Sequence, residues 1–85
     1  MTKGVYMTRE EVLAKVNEIF REVFEDDTIV VQDSTTAADI EDWDSYEHIN
    51  LINAIEQEFN MKFTMGQVVG MKNVGEMIDI LTGHA

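Results

Sequence analysis

An 85-residue chain has room for one small domain and no second core. Its formal net charge of −11, from 17 acidic and 6 basic residues, excludes nucleic acid and anionic membrane surfaces as partners and favours basic proteins or cations. No apolar run approaches the roughly 18–20 residues of a membrane span, and with no cysteine any thiol chemistry must come from a bound group.

Residues 1–7 lack the apolar core of a secretory signal and read as a flexible leader, with Met7 an alternative start. A soluble cytoplasmic monomer is expected. Thr8-Arg9-Glu10-Glu11 then reads as a capping box. Val12, Leu13, Val16, Ile19, Phe20, Val23 and Phe24 follow at helical spacing and predict a helix over 9–24. Glu10, Lys15, Asn17, Glu18, Arg21 and Glu22 are expected on its outer face.

Residues 25–44 show no sustained period. Acids, Ser and Thr dominate, broken by Ile29-Val30-Val31 and Ile40. A loop near 20 residues is unusual in a compact domain unless it is functional, and the apolar insertions are expected to pin it across the bundle. A short strand at 28–32 is the competing reading, disfavoured because nothing nearby offers a partner.

Asp44 is a good N-cap, with Glu47 three residues on. Tyr46, Ile49, Ile52, Ile55 and Phe59, widened by Leu51 and Ala54, predict a helix over 45–59 with those residues inward. Phe63 to Met71 is apolar but holds Gly66 and Gly70, so a short helical turn is expected. Asn73 caps a last helix over 74–82, with Val74, Met77, Ile78 and Leu81 inward, and Gly83 stops it. The fold class is all-α: a small four-helix bundle, three main helices and one short, with a long loop between the first two. The domain spans 8–82, between the leader and a tail at 83–85 that includes His84. The six methionines are expected to fill the core, with Met61, Met65 and Met71 able to line a path for an apolar chain.

Residues 22–61 hold twelve Asp or Glu and no Lys or Arg, and Ser45 stands within them at a helix start. The run Asp44-Ser45-Tyr46-Glu47-His48-Ile49-Asn50-Leu51-Ile52-Asn53-Ala54-Ile55-Glu56-Gln57-Glu58-Phe59 resembles the second helix of acyl carrier proteins. Asp-Ser, the central aliphatic pair and the closing Ala-aliphatic-acid-x-acid-Phe carry the resemblance, and length, helix order and acidity extend it over about 7–82. It implies that Ser45 carries 4′-phosphopantetheine, attached by a phosphopantetheinyl transferase from coenzyme A, with acyl groups held as thioesters on the arm. It implies that Asp44 helps that transferase hold Mg²⁺. Asp44, Tyr46, Glu47, Asn50 and Glu56 would then form the recognition surface for acyl-activating, acyl-transferring or condensing enzymes with basic docking patches. An aminoacyl or peptidyl carrier, such as a D-alanine carrier, shares the pattern. An unmodified acidic module that binds a basic partner by charge alone is the alternative from another class.

Other residues weigh less. Ser34 repeats the Asp-Ser pair but precedes no amphipathic run, so it reads as a loop or cap residue. Asp44, Ser45 and His48 are the residue types of a hydrolase triad, but neighbours on one helical turn do not bring a histidine between carboxylate and hydroxyl. There is no Gly-x-Ser-x-Gly elbow either, so no catalytic residue is expected. His48 is expected half-exposed near the arm. Read as a calcium loop, 33–44 lacks the required Gly and the closing Glu. Diffuse divalent binding is expected there, not a formed metal site. Trp43 and Tyr46 depart from the small or aliphatic residue and the leucine usual beside the Asp-Ser pair, and Asn50 and Gln57 stand where Glu is common. The Trp-Asp-Ser-x-x-His-Ile-x-Leu form resembles stand-alone carriers of specialised pathways, and the Trp43–Tyr46 pair is where pathway specificity is expected.

Overall fold

The first helix begins at a closed capping box. Thr8 Oγ1 accepts the Glu11 N–H at 3.1 Å, and Glu11 Oε1 accepts the Thr8 N–H at 2.8 Å. A computed structural model of the chain describes residues 8–83. Among these, helices α1 (Arg9–Val23), α2 (Ser45–Phe59), α3 (Met65–Gly70) and α4 (Val74–Leu81) follow in order, and there is no strand. The expected leader at 1–7 and the end of the tail, His84 and Ala85, lie outside the described residues. None of the described helices is long and apolar enough to cross a membrane.

The core joins α1, α2 and α4. Val12, Val16, Ile19 and Phe20 of α1 meet Leu51, Ile52 and Ile55 of α2, Val74, Met77 and Ile78 of α4, and Ile29, Val31 and Phe63 from the connections. Helix α1 ends one residue before the expected limit. Phe24 caps it, and Glu25 turns the chain at φ 53°, the left-handed region.

Asn17 corrects the sequence reading of α1. It is buried, not on the outer face, because it serves the connection that crosses above it. Its Oδ1 accepts the Val31 N–H at 2.7 Å, and its Nδ2 donates to the Val31 carbonyl at 3.3 Å and to that of Leu13 at 3.0 Å. One turn on, Arg21 Nε donates to the Ile29 carbonyl at 2.8 Å. Ile29 and Val31 are buried while Val30 between them is exposed, the alternation of a strand. The strand alternative at 28–32 nevertheless fails. Side chains at i and i+4 of α1 supply the bonds that a neighbouring strand would supply. A turn of 3₁₀-helix at Ala37–Asp39, not anticipated from the sequence, follows within the same connection.

The connection also caps α4. Asn73 accepts from the Glu76 N–H, as expected, while the Val74 and Gly75 N–H groups donate to the carbonyls of Thr35 (2.9 Å) and Asp33 (2.8 Å). Ser34 sits exposed between these two carbonyls. Gly75 is required by this close approach, since a Cβ there would stand 3.0 Å from the Asp33 carbonyl oxygen. Arg9 binds the corner together, with Nη1 2.6 Å from Asp79, Nη2 3.1 Å from Asp33 and 3.3 Å from the Gly75 carbonyl. These contacts, led by Asp79, raise the Arg9 pKa above its ordinary value.

The inward series read for α2 is also corrected. Tyr46 is 73% exposed and Ile49 50% exposed, whereas Leu51, Ile52 and Ile55 are buried and His48, Ala54 and Phe59 half-buried. A step of three residues falls about 60° short of a full helical turn. Three such steps, from Tyr46 to Ile55, swing the series to the far side of the helix. Of the six methionines, Met77 is in the core, Met61 and Met71 pack half-buried against it, and Met65 departs from the expectation at 75% exposed; Met1 and Met7 lie outside the described residues.

Candidate functional site

Asp44 and Ser45 open α2 as their residue types direct. The Asp44 Oδ1 accepts the Glu47 N–H at 2.9 Å, which satisfies one of the amides left free at a helix start. Ser45 is the first helical residue. It is exposed, and among the described residues its hydroxyl makes no hydrogen bond. It stands at an open cavity of about 550 Å³ between α2 and the segment 68–73. Asp44, His48 and Ile49 line one side; Val68, Val69, Met71 and Lys72 line the other.

The other predicted recognition residues are spread over α2. Tyr46 is exposed on the side away from the core. Glu47 is half-buried, and its Oε1 accepts from Asn50 Nδ2 at 3.3 Å. Glu56 is half-buried, and its Oε2 accepts the Phe63 N–H at 2.8 Å, so that carboxylate also holds the chain entering α3. The structure therefore brings Asp44 and Ser45 to one cavity and leaves Asn50 and Glu56 farther along the helix. Of the three methionines expected near an apolar chain, Met71 alone lines this cavity.

Trp43 and His48 are more tightly built in than their sequence suggests. The Trp43 ring meets Phe20 edge-on, with centroids 5.1 Å apart and planes at 82°. Its Nε1–H donates to His48 Nδ1 at 3.0 Å, and His48 Nε2 lies 3.1 Å from the Val68 carbonyl. Both ring nitrogens are therefore occupied, and His48 is not a base for Ser45. The expected Trp43–Tyr46 pair is thus divided: Trp43 is half-buried against α1, and Tyr46 faces outward. Sequence reasoning missed the link from Trp43 to Val68. Its one legible signal was a donor-only indole five residues before a histidine. Among the described residues no three His, Asp or Glu side chains are grouped to hold a metal ion.

An exposed hydroxyl at a capped helix start, in an acidic all-α domain, defines a surface that presents Ser45. The comparisons make that class specific. The solution NMR structure of a holo acyl carrier protein from Geobacter metallireducens matches with a TM-score of 0.77 at 43% identity, over 81% of this chain and 79% of that one. A curated acyl carrier protein from Acidothermus cellulolyticus is 29% identical over 75 residues, 88% of this chain and 89% of its own. No protein-family model matches. This chain belongs to the acyl carrier protein family, whose members are carriers without catalytic activity of their own.

Proposed function

We propose that this chain is a discrete acyl carrier protein whose domain, residues 8–82, bears 4′-phosphopantetheine on Ser45. The observation that carries the reading is the exposed, unbonded Ser45 hydroxyl at the first position of a capped helix, beside an open cavity with an apolar wall. The residues fit the group: the hydroxyl is free to be esterified, and the cavity leaves room for a flexible chain to leave the surface. When bound, the arm supplies the thiol that the cysteine-free chain lacks and holds acyl groups as thioesters.

The protein's own part is to orient and to be recognised. Asp44 fixes the first turn of α2, so Ser45 is offered in one backbone geometry. A phosphodiester at that position gains from the free amides and dipole of α2 and loses to the surrounding acids. Tethering replaces diffusion of the acyl group by a high local concentration at whichever enzyme the carrier meets. The partners are a phosphopantetheinyl transferase and acyl-activating, acyl-transferring or condensing enzymes with basic docking patches. They would act in the cytoplasm, in fatty acid, polyketide or specialised lipid or polysaccharide synthesis. Asp44, Tyr46, Glu47, Asn50 and Glu56 form the recognition face.

Incubation with coenzyme A and a broad-specificity transferase, followed by mass spectrometry, tests this. One arm per chain is expected, and none on Ser45→Ala. No mass gain, or a gain that survives Ser45→Ala, defeats it. Loading with acyl-activating against amino-acid-activating enzymes then separates an acyl from an aminoacyl carrier.

A further inference from the structure

Helix α3 has six residues and none of them is buried. A helix this short does not persist alone in water; Val68 packs half-buried against the core, and the rest of the hold on α3 lies at its ends. At the N-terminus, Thr64 and Gln67 form a capping box: Gln67 N–H to Thr64 Oγ1 at 3.1 Å and Thr64 N–H to Gln67 Oε1 at 2.9 Å. At the C-terminus the chain leaves through Met71 in an extended conformation. The last four carbonyls of a helix lack partners within it, and the Val68 carbonyl is one of them. Its partner is His48 of α2, 3.1 Å away and three residues after Ser45.

The chemistry of the partners decides the histidine's tautomer. An indole N–H only donates, so the Nδ1 that receives it from Trp43 carries no hydrogen. A carbonyl only accepts, so the Nε2 facing Val68 carries one. Trp43 is itself set edge-on against Phe20 of α1. A continuous series of contacts therefore runs from α1 through Trp43 and His48 to α3. Ser45, His48 and Val68 line the same cavity, so α3 forms part of its wall.

We propose that His48, held as the Nε2–H tautomer by Trp43, is a positioning residue: it caps α3 from outside and sets the wall of the groove beside Ser45. Its meaning for the arm rests on the function proposed above, but the hydrogen-bonded series does not.

Nitrogen-15 NMR of the unmodified protein tests the series with no substitution. A hydrogen-free Nδ1 and a protonated Nε2 are expected for His48 near neutral pH; the opposite tautomer, or a rapid mixture, overturns the proposal. In Trp43→Phe, which keeps a ring against Phe20, amide exchange in α3 is expected to rise by about three- to tenfold, the equivalent of one net hydrogen bond. His48→Phe should do the same, and His48→Gln, which keeps a donor, should recover part of the protection. Exchange in α1 and α4 should stay within twofold of the parent. A uniform rise across all helices, or no rise in α3, reduces His48 to ordinary packing and defeats the proposal. In arm-loaded protein, contacts between the arm and Val69 or Met71 methyls should weaken in His48→Phe, and unchanged contacts would refute the positioning role. The exchange measurements need no arm, so a chain that is never modified would defeat the proposed function and leave this series to stand or fall separately.

Discussion

The two segments that flank α2 are built on opposite plans. Residues 24–44 contain only one turn of 3₁₀-helix, yet Ile29 and Val31 reach the core and their backbone groups are bonded to α1. Helix α3 is regular, yet no residue in it is fully buried; half-buried Val68, a capping box and His48 hold it. Regularity and anchorage are separate properties. The irregular segment is anchored in the core of the scaffold, and the regular one is a lightly buried wall beside Ser45.

The contrast breaks first at Asn17. Asn17→Ala leaves the buried Val31 N–H without its partner and removes the main tie on the connection. A loss of about 2–3 kcal/mol is expected from an orphaned buried amide together with lost hydrogen bonds. The midpoint of urea unfolding measures it, and a loss within error would mean that the connection is not anchored through Asn17. Gly75→Ala comes next. Alanine gains about 1 kcal/mol of helix propensity over glycine, but its Cβ would press on an Asp33 carbonyl already bonded to the Gly75 N–H. A net loss of about 1 kcal/mol is expected from overpacking against a fixed backbone, read as a lower melting temperature.

A gain is expected at Glu25, which adopts φ 53° without the freedom of glycine. Glu25→Gly should stabilise by about 0.5–1 kcal/mol, because the left-handed region penalises a Cβ. Asn60→Gly, at φ 54°, should be nearly neutral, since asparagine tolerates that region. Thermal unfolding of the two variants side by side tests the difference.

The smallest effect lies at Asp26. The Thr28 hydroxyl first, and its backbone N–H second, hold the Asp26 carboxyl below the usual carboxylate range. A depressed folded-state pKa stabilises the fold above the ordinary carboxylate range, and that contribution is lost as pH falls through the depressed value. Thr28→Val should move the Asp26 titration part of the way back up, leaving the backbone bond in place. An NMR titration of the carboxyl carbon checks it.

Much of this was legible before the structure. Thr8, Asp44, Asn73 and Gly83 marked helix limits, because capping depends on residues three or four positions apart. Ser45 was legible as the candidate site because the pattern after it is contiguous. Asn17 was not, since its reason for burial is Val31, fourteen residues on, and nothing in its own helix announces that bond. Steps of three suggest Tyr46 and Ile49 inward, but about 100° per residue about the helix already turns both outward, so their exposure is legible in the sequence. His48 had a visible donor in Trp43 but no visible acceptor.

By itself the sequence determined what local chemistry decides: the starts of α1, α2 and α4, the all-α class, the acidic surface and the exposed serine at the head of α2. Only the tertiary structure decided which polar side chains leave the surface. Asn17, Arg21 and His48 each satisfy a backbone group from another part of the chain. A buried amide or carbonyl must find a partner wherever folding brings one, and sequence distance carries no record of that meeting.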